Sequence, residues 1–259
     1  MSEPTQPRRV DLSDTIAVVL AAGLGKRMGG DMPKVLAKLQ GRPLIQWVIA
    51  AIRAAGIARI IVVIGHKGEL VREALAGETV EFVWQRELLG TAHAVMQARP
   101  HLDGHTGEVI VFLGDVPLIR TSTIDQVVAL HRNKSAAATI LSADLEDPSG
   151  YGRIIRRSDG MVERIVEDRD ADDKIRSIKE INSGLICFST PHLLSALDEV
   201  SNDNAQGEYY LTDVAAIFRS QGLPVAAWKA VDPVEIAGVN SPSQLADLES
   251  AAQQRTKRE

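Results

Sequence analysis

The sequence predicts an α/β protein with a doubly wound, mostly parallel sheet, and two observations lead to this fold class. Short apolar runs rich in β-branched residues recur along the first half of the chain, as expected for strands buried on both faces of a parallel sheet. Helical segments punctuated by Gly or Pro separate these runs, which is the alternation of βαβ units. A length of 259 residues suits one large α/β domain or two small ones.

The first half of the chain alternates strands with helices. Its predicted strands are residues 15–23, 59–65, 80–85 and 108–115. Its predicted helices are residues 43–56, 68–77, 90–102 and 121–133. The last of these helices opens with hydroxyl residues at Thr121 and Ser122, and such side chains commonly cap a helix N-terminus.

From about residue 136 the pattern changes to a strand-rich lobe built onto the same sheet. The predicted strands are residues 136–145, 180–190, 225–231 and 234–240, and residues 150–168 form a hairpin around "SDG". The charged segment 169–179 is expected to be an exposed excursion. Residues 207–222 are predicted to be a helix.

These elements divide the chain into three parts. The expected parts are a disordered lead-in over 1–14, a main domain over 15–240 with halves 15–135 and 136–240, and a C-terminal helix over 241–259. Ser241 is a plausible cap of that helix, and Pro242 would lie in its first turn.

The composition excludes several classes of function. A net charge of −5 and a pI of about 5.7 disfavour nucleic-acid binding, which needs a basic face, so we expect no nucleic-acid partner. No apolar run approaches the roughly 20 residues of a membrane span, and the N-terminus lacks the apolar region of a signal peptide. We therefore expect a cytoplasmic protein without a membrane partner. The single cysteine, Cys187, is predicted to be a core residue.

A glycine-rich loop with basic residues follows the first predicted strand directly. The stretch "LAAGLGKRMGGDMPKVL" brings Gly23, Gly25, Arg27 and Lys34 close together in the chain. Glycines let backbone N–H groups approach an anion closely, so the loop predicts a phosphate site. It does not match the Walker A or dinucleotide-binding patterns, because the required glycines, the Ser/Thr and the following acidic residue are missing.

The same stretch resembles the signature L-A-A-G-x-G-x-R-M-x(3-4)-P-K of sugar nucleotidyltransferases. Further segments resemble the bacterial N-acetylglucosamine-1-phosphate uridyltransferases in order and at about the same spacing: "WQRELLGTAHA", "FLGDVPLI", "DPSGYGRIIR", "IVEDRDA", "EINSGL", "NAQGEYYLTD" and "GVN". The resemblance extends from about Ile16 to Asn240. It implies the Rossmann-like nucleotide-diphospho-sugar transferase fold, with residues 15–135 as the nucleotide-binding half and 136–240 as the sugar-binding half.

The resemblance also implies the reaction. UTP and N-acetylglucosamine 1-phosphate would give UDP-N-acetylglucosamine and pyrophosphate through in-line attack on the α-phosphate. Because both reactants are anionic, positioning and charge neutralisation would provide most of the catalysis. Arg27 is expected to hold the β- and γ-phosphates, and Lys34 the α-phosphate and the incoming sugar phosphate.

The nucleotide, the metal and the sugar each have candidate residues. The nucleotide candidates are Leu20, Ala21, Ala22, Gly23, Gly25, Gln85, Gly90 and Thr91, in which the Gln85 amide offers both a donor and an acceptor to uracil. Asp115 ends a predicted parallel strand, where a carboxylate suits Mg²⁺ or Mn²⁺, and the resemblance adds Asn240 as a second ligand. The resemblance gives the sugar candidates as Gly152, Glu167, Asn182, Tyr210 and Thr212.

Two departures from the family pattern and two alternative functions accompany this interpretation. Leu113 stands where many relatives have an aromatic residue, and Asp168-Arg169-Asp170 stands where they often have His-Lys-Asp. The chain could use another sugar or nucleotide, such as glucose 1-phosphate or dTTP, or be a catalytically silent nucleotide-sugar sensor. Relatives commonly carry a second domain, an acetyltransferase, whose sequence consists of hexapeptide repeats, and no such repeat occurs in this sequence. The oligomeric state stays open.

Overall fold

The computed structural model describes residues 9–23 and 32–256, and these build a small two-stranded sheet over residues 38–43 and a nine-stranded mixed β-sheet with helices on both faces. Along its main path the sheet has the strand order β11-β7-β10-β6-β1-β4-β5, and β8 and β9 extend it from β10. The strands are β1 Ile16–Ala21, β2 Lys38–Leu39, β3 Arg42–Pro43, β4 Arg59–Ile64, β5 Glu81–Trp84, β6 Glu108–Leu113, β7 Ala138–Asp144, β8 Arg153–Arg156, β9 Val162–Val166, β10 Glu180–Ser189 and β11 Val225–Lys229.

The helices lie mostly between the strands. They are α1 Leu44–Ala54, α2 Gly68–Ala74, α3 Thr91–Gln97, α4 Arg99–Leu102, α5 Thr121–Asn133, α6 Asp173–Arg176, α7 Thr190–Leu197, α8 Asp213–Ser220 and α9 Pro242–Thr256. Short 3₁₀ turns occupy Lys34–Leu36 and Pro233–Ile236. Within the described ranges, no helix is both long and apolar enough to cross a bilayer.

The direction of the strands determines which edge of the sheet can bind a ligand. β1 pairs in parallel with β4 and β6, β4 with β5, and β7 with β11, whereas β10 runs antiparallel to both β6 and β7. The carboxyl ends of the parallel strands therefore meet at the same edge as the amino end of β10. Ligands of open α/β sheets bind at such an edge.

The core covers both faces of the sheet, which confirms the doubly wound prediction. Along β1, Ala17 and Val19 pack into one apolar cluster, whereas Ile16 and Val18 pack into the cluster on the opposite face. This alternation follows from the two-residue period of a strand, and burial on both faces explains the continuous apolar run. Cys187 is fully buried in β10, as predicted, where removal from water raises the pKa of its thiol.

Two predictions about local structure are corrected in the described regions. Residues 9–14 are not a disordered lead-in, because Leu12 is buried in the core and Arg132 Nη1 donates to the Asp11 carbonyl at 2.9 Å. The first eight residues lie outside the described ranges. Thr121 begins α5 but does not cap it, since Arg120 occupies the cap position and no side chain accepts a hydrogen bond there.

Two predicted elements in the second half also differ. Residues 207–212 precede α8 without forming a helix: Tyr209 N donates to the Leu89 carbonyl, the Tyr209 carbonyl accepts from Ala92 N, and residues 211–212 form a turn. Residues 234–240 are not a strand: Asp232 accepts from Val234 N at 3.1 Å and starts a 3₁₀ turn, which the Pro at position 233 favours. The "SDG" hairpin between β8 and β9 and the cap at Ser241, which accepts from Gln244 N, match the predictions.

Candidate functional site

A cavity of about 600 Å³ opens at the carboxyl edge of the parallel strands. Almost every predicted site residue in the described ranges lines it. These residues are Leu20, Ala21, Ala22, Gly23, Lys34, Gln85, Gly90, Thr91, Asp115, Gly152, Glu167, Asn182, Thr212 and Asn240. The structure thus brings together side chains that are more than 200 positions apart in the chain.

The floor of the cavity is formed where β1 and β6 end side by side. Gly114 N donates to the Leu20 carbonyl at 2.9 Å, which carries the parallel pairing one residue beyond β6. A Cβ atom at Gly114 would lie 3.0 Å from the Leu20 carbonyl oxygen, so glycine allows the two chain ends to approach. Asp115 follows immediately, and its carboxylate therefore lies beside the segment that continues β1.

Lys34 connects this carboxylate to the far end of the chain. Its Nζ group contacts Asp115 Oδ2 in an ion pair and donates to Asn240 Oδ1 at 2.8 Å. Pro33 and the 3₁₀ turn Lys34–Leu36 fix the backbone from which this side chain extends. One ammonium group is thus held between two oxygen ligands from separate loops.

The loop that carries Asn240 is itself attached to the same site. Val239 N donates to the Asp115 carbonyl at 3.2 Å, and Asn240 N donates to Gln244 Oε1 in α9 at 2.7 Å. A Cβ atom on Gly238 would lie 3.5 Å from Asp115 Oδ2. The backbone of residues 238–240 therefore positions the Asn240 oxygen beside the Asp115 carboxylate.

Gln85 lies at the end of β5 and is almost completely buried, with 4% exposure. Its backbone N–H donates to the Ile64 carbonyl at 2.8 Å, which prolongs the β4–β5 pairing. Its Nε2 group donates to the Gly90 carbonyl at 3.0 Å and lies 3.1 Å from His93 Nδ1. The carboxamide is therefore held in one orientation at the cavity wall.

The segments around Gly90 and Tyr209 form a seam that joins the two halves of the chain. Tyr209 N donates to the Leu89 carbonyl at 2.7 Å, and Ala92 N donates to the Tyr209 carbonyl at 2.9 Å. Gly90 has φ +113°, and a Cβ atom there would lie 2.5 Å from the Tyr209 carbonyl oxygen. Both facts require glycine at this position. Thr91 Oγ1 accepts from Leu211 N at 3.0 Å, so this hydroxyl positions the seam as well as lining the cavity.

Glu167 provides a second carboxylate on the cavity wall. Thr212 Oγ1 donates to Glu167 Oε1 at 2.8 Å, and no other described residue donates to this carboxylate. Removal from water raises the pKa of Glu167, the nearby charges of Asp213, Asp170 and Asp168 raise it further, and the Thr212 hydrogen bond opposes them. The glycine at position 152 leaves room for β9, because a Cβ atom there would lie 2.9 Å from Ile165 Cγ2, and it lies beside the Glu167 carboxylate.

Asn182, near the start of β10, lines the same cavity. Its N–H donates to the Gly152 carbonyl at 2.8 Å, and its Oδ1 accepts from Gly184 N at 3.0 Å. No described residue accepts a hydrogen bond from Asn182 Nδ2, so this group can donate into the cavity. The neighbouring wall is a β-bulge in which Gly184, at φ +84°, packs on Leu113 so closely that a Cβ would lie 2.4 Å from Leu113 Cδ1.

Three predicted site residues are not placed in the cavity. Tyr210 is buried outside the cavity wall, where its hydroxyl accepts from Gln206 Nε2 at 2.7 Å; the structure therefore does not support a direct sugar contact. Gly25 and Arg27 lie outside the described residues. The structure adds wall residues that the sequence did not single out, among them Tyr151 and Ser183. Their signal was proximity to the "GYG" and "INSG" motifs, which does not reveal which side chain faces a ligand.

Comparison with solved structures defines the class of fold. A UDP-glucose pyrophosphorylase complexed with UDP-glucose superposes with a TM-score of 0.75 at 18% identity, covering 93% of this chain and 99% of that one. A putative glucose-1-phosphate thymidylyltransferase from Bacillus anthracis, in complex with a sucrose, gives 0.75 at 17% identity, covering 92% and 95%. These likenesses show an α/β nucleotide-diphospho-sugar transferase fold, as predicted.

Comparison with sequences then defines the family. The profile of the MobA-like NTP transferase domain matches residues 17–211, and the chain belongs to this family. The bifunctional protein GlmU of Geobacter metallireducens is 47% identical over 249 residues, which are 96% of this chain and 52% of that protein. The bifunctional protein GlmU of Heliobacterium modesticaldum is 48% identical over 242 residues, or 93% and 53%. The chain thus spans about half the length of the curated relatives it matches.

Proposed function

We propose that the protein is a sugar-1-phosphate uridylyltransferase that makes UDP-N-acetylglucosamine and pyrophosphate from UTP and N-acetylglucosamine 1-phosphate. One observation supports this proposal most directly. The cavity wall carries two sets of polar groups: the phosphate end, which is the Lys34 ammonium with Asp115 and Asn240, and the sugar end, which is the Glu167 carboxylate with the Asn182 amide. The first end suits phosphates and the second suits a sugar. The identity of about 47% to GlmU proteins agrees with this assignment.

The reaction requires little covalent chemistry from the protein. The sugar phosphate oxygen is already an anion, so it can attack the α-phosphorus without a general base. Lys34 would neutralise charge between the two phosphates that must approach each other, since its ammonium is at the cavity wall and is only partly exposed. The role proposed for Arg27, binding of the leaving pyrophosphate, concerns a residue outside the described ranges.

The donor set around Lys34 Nζ fits a divalent metal. Asp115 provides a carboxylate oxygen and Asn240 an amide oxygen, and both already hold a cation, the Lys34 ammonium. Hard oxygen ligands of this kind suit Mg²⁺ or Mn²⁺, and Mg²⁺ typically takes one or two protein ligands and completes its shell with phosphate and water. Within the described residues no group of three or more acidic, His or Cys side chains forms a metal cage, which agrees with a metal brought together with its nucleotide. The bound metal would supply charge neutralisation at the phosphates.

The sugar would lie at the other end of the cavity, between Glu167 and Asn182. Glu167 has acceptor capacity beyond its bond from Thr212, and the Asn182 Nδ2 group is a free donor among the described residues. A sugar hydroxyl and an acetamido group need one acceptor and one donor of this kind. We accordingly propose residues 15–135 as the nucleotide-binding half and 136–240 as the sugar-binding half. Of the helix predicted over 241–259, α9 Pro242–Thr256 is described, and its Gln244 bonds to the Asn240 backbone; residues 257–259 lie outside the described ranges.

A substrate panel tests the proposal. Purified protein is incubated with each nucleoside triphosphate, each candidate sugar 1-phosphate and Mg²⁺, and pyrophosphate release is measured. We expect release with UTP and N-acetylglucosamine 1-phosphate, loss of activity in EDTA, and recovery on addition of Mg²⁺ or Mn²⁺. Preferential use of glucose 1-phosphate or dTTP would contradict the substrate assignment. Absence of release with every pair, from protein that binds nucleotide, would leave a sensor as the better description.

A further inference from the structure

We infer that His93 is a positioning residue that sets the base preference of the site by fixing the orientation of the Gln85 carboxamide. The inference rests on the proposed function, because it takes the base of the nucleotide to lie against Gln85. His93 itself is in α3 and is not part of the cavity wall. Its side chain contacts Gln85, Gln97 and the Tyr209 ring, and of these three Gln85 is the one that lines the cavity.

The orientation of Gln85 follows from its partners. The Gly90 carbonyl oxygen can only accept a hydrogen bond, so the Gln85 atom 3.0 Å away must be the amide nitrogen. The second proton of that nitrogen is directed to His93 Nδ1, at 3.1 Å. Both amide protons are then used inside the protein. Oε1 accepts from no described residue and is the atom that remains for a ligand in the cavity.

The role of His93 follows from its tautomer. Because the Gln85 amide nitrogen can only donate, Nδ1 must be unprotonated, and the ring proton of neutral His93 lies on Nε2. Gln97 Nε2 also lies 3.2 Å from His93 Nε2, but a neutral imidazole has one acceptor nitrogen. Gln85 is nearly fully buried and Gln97 is partly exposed, so the buried donor has the greater need of that acceptor. Gln97 keeps its other hydrogen bond, to the His93 carbonyl.

A fixed Oε1 reads one feature of a pyrimidine. Uracil carries a proton on N3 and can donate it to Oε1, whereas cytosine in the same pose presents an unprotonated N3 whose lone pair would face the Oε1 lone pairs. The arrangement therefore favours uracil over cytosine. It does not separate uracil from thymine, because both carry the N3 proton. The sequence suggested that Gln85 offers a donor and an acceptor; the hydrogen bonds to Gly90 and His93 leave only the acceptor.

The test is a set of variants measured with UTP and with CTP. His93→Ala removes the acceptor, and we expect about a ten-fold weaker UTP affinity, a similar fall in the UTP/CTP preference and an almost unchanged kcat. His93→Asn can place Oδ1 near the position of Nδ1 and should keep most of the preference. Gln97→Ala is the matched control in the same helix, because it removes the other neighbour of the ring and should leave the preference as in the wild type.

A double-mutant cycle separates the proposed role from a general structural one. If His93 acts through Gln85, His93→Ala should cause no further loss in a Gln85→Ala background. An unchanged UTP/CTP ratio in His93→Ala, equal losses for both nucleotides, or a full additional loss in the double variant would overturn the inference. If His93→Ala does not fold, His93→Asn against His93→Gln decides, since Gln does not place an acceptor at Nδ1; equal preferences in these two would also overturn it.

The readout is chosen so that the two proposals can fail separately. Binding of UTP and CTP is measured by calorimetry with Mg²⁺ and without a sugar phosphate, in addition to turnover. A wild-type protein that prefers UTP in a His93-dependent way but does not use N-acetylglucosamine 1-phosphate would support the inference and contradict the proposed function. Turnover of N-acetylglucosamine 1-phosphate with UTP, together with a UTP/CTP binding preference that does not change in His93→Ala, would do the reverse.

Discussion

The two ends of the cavity each present a carboxylate, but in opposite electrostatic surroundings. Asp115 is paired with the Lys34 ammonium, and the Asn240 oxygen completes that contact. Glu167 has a hydroxyl from Thr212 as its partner, and removal from water together with acidic neighbours raises its pKa. The Asp115 carboxylate is therefore in an environment that stabilises an ion pair with a cation. The Glu167 carboxylate is in an environment that suits hydrogen bonds with neutral groups.

The difference indicates how one cavity can bring a strongly anionic reactant and a largely neutral sugar together. A second acidic group beside the phosphates would repel them, whereas Asp115 is already neutralised by Lys34. At the sugar end, Glu167 has the Thr212 hydroxyl as its partner among the described residues, and it gains further partners when hydroxyl or amide groups enter the cavity. Each of the following changes is chosen to disturb one end and leave the other as a reference.

The largest expected effect is at the phosphate end. Lys34→Ala removes a charge that would stabilise the transition state, and turnover should fall by about 10²–10³-fold, the scale seen when one such group is lost. The same change frees Asp115 and Asn240, so binding of Mn²⁺ to the nucleotide-free protein, measured by electron paramagnetic resonance, should become stronger. Unchanged turnover together with unchanged Mn²⁺ binding would show that Lys34 serves neither end of the comparison.

Asp115→Asn tests the carboxylate of the same end. It removes the negative charge that would bind the metal, and the Mg²⁺ concentration for half-maximal activity should rise by at least the roughly 10- to 100-fold that the loss of a ligand-orienting group costs. The melting temperature should stay close to that of the wild type, because the residue lies at a cavity wall. A normal Mg²⁺ requirement in a folded variant would remove Asp115 from the metal site.

A smaller and more selective effect is expected at the sugar end. Glu167→Ala should raise KM for the sugar phosphate by about 5- to 150-fold, which corresponds to roughly 1–3 kcal/mol for a lost buried hydrogen-bond partner. KM for UTP should change little. Steady-state kinetics with each substrate varied in turn makes the measurement. Equal changes in both KM values would mean that the two ends are not separate in function.

The smallest expected effect concerns stability and its dependence on pH. Because the pKa of Glu167 is raised in the folded protein, ionisation of this carboxylate favours the unfolded chain. The stability associated with its protonated form is complete below the unfolded-state pKa and is lost as the pH rises through the folded-state pKa. Glu167→Gln should therefore melt at a higher temperature than the wild type at pH 8.

The control for this prediction is the pH itself. The difference in melting temperature between Glu167→Gln and the wild type should shrink as the pH falls from the folded-state pKa of Glu167 to the ordinary pKa of a glutamate, because below that value the wild-type side chain is neutral in both states. Thermal melts from pH 4 to pH 8 measure it. A difference that grows towards low pH would reverse the sign and contradict the raised pKa.

Sequence patterns predicted the parallel part of the fold because its strands carry their own signal. β1, β4 and β6 are apolar on both faces, and that run is visible without tertiary information. The antiparallel direction of β10 has no such signal, since strand direction depends on what precedes and follows the strand in space. Residues 207–212 were predicted as helix, but the hydrogen bonds of Tyr209 with Leu89 and Ala92 attach this segment to a distant part of the chain, and residues 211–212 form a turn.

The members of the site could be predicted, but the contacts between them could not. Motif spacing identified Lys34, Asp115 and Asn240 separately, yet no pattern indicates that one ammonium lies between the other two side chains. Tyr210 was predicted at the sugar because it lies in a segment that carries the family resemblance, whereas its hydroxyl bonds to Gln206 and it is not part of the cavity wall. No sequence pattern indicates the contact between His93 and Gln85, which crosses a loop of irregular backbone.

The hydrogen bond between Lys34 and Asn240 joins residues 206 positions apart. During synthesis on a ribosome, Lys34 leaves the exit tunnel long before Asn240 exists, so the phosphate end of the cavity is incomplete until almost the whole domain has been made. Contacts of such long sequence separation form late and slowly. A nascent or truncated chain that ends before Asn240 therefore has β1, β4 and β6 available for pairing but lacks one wall of its cavity. The complete cavity forms only after Asn240 has been synthesised and has reached Lys34.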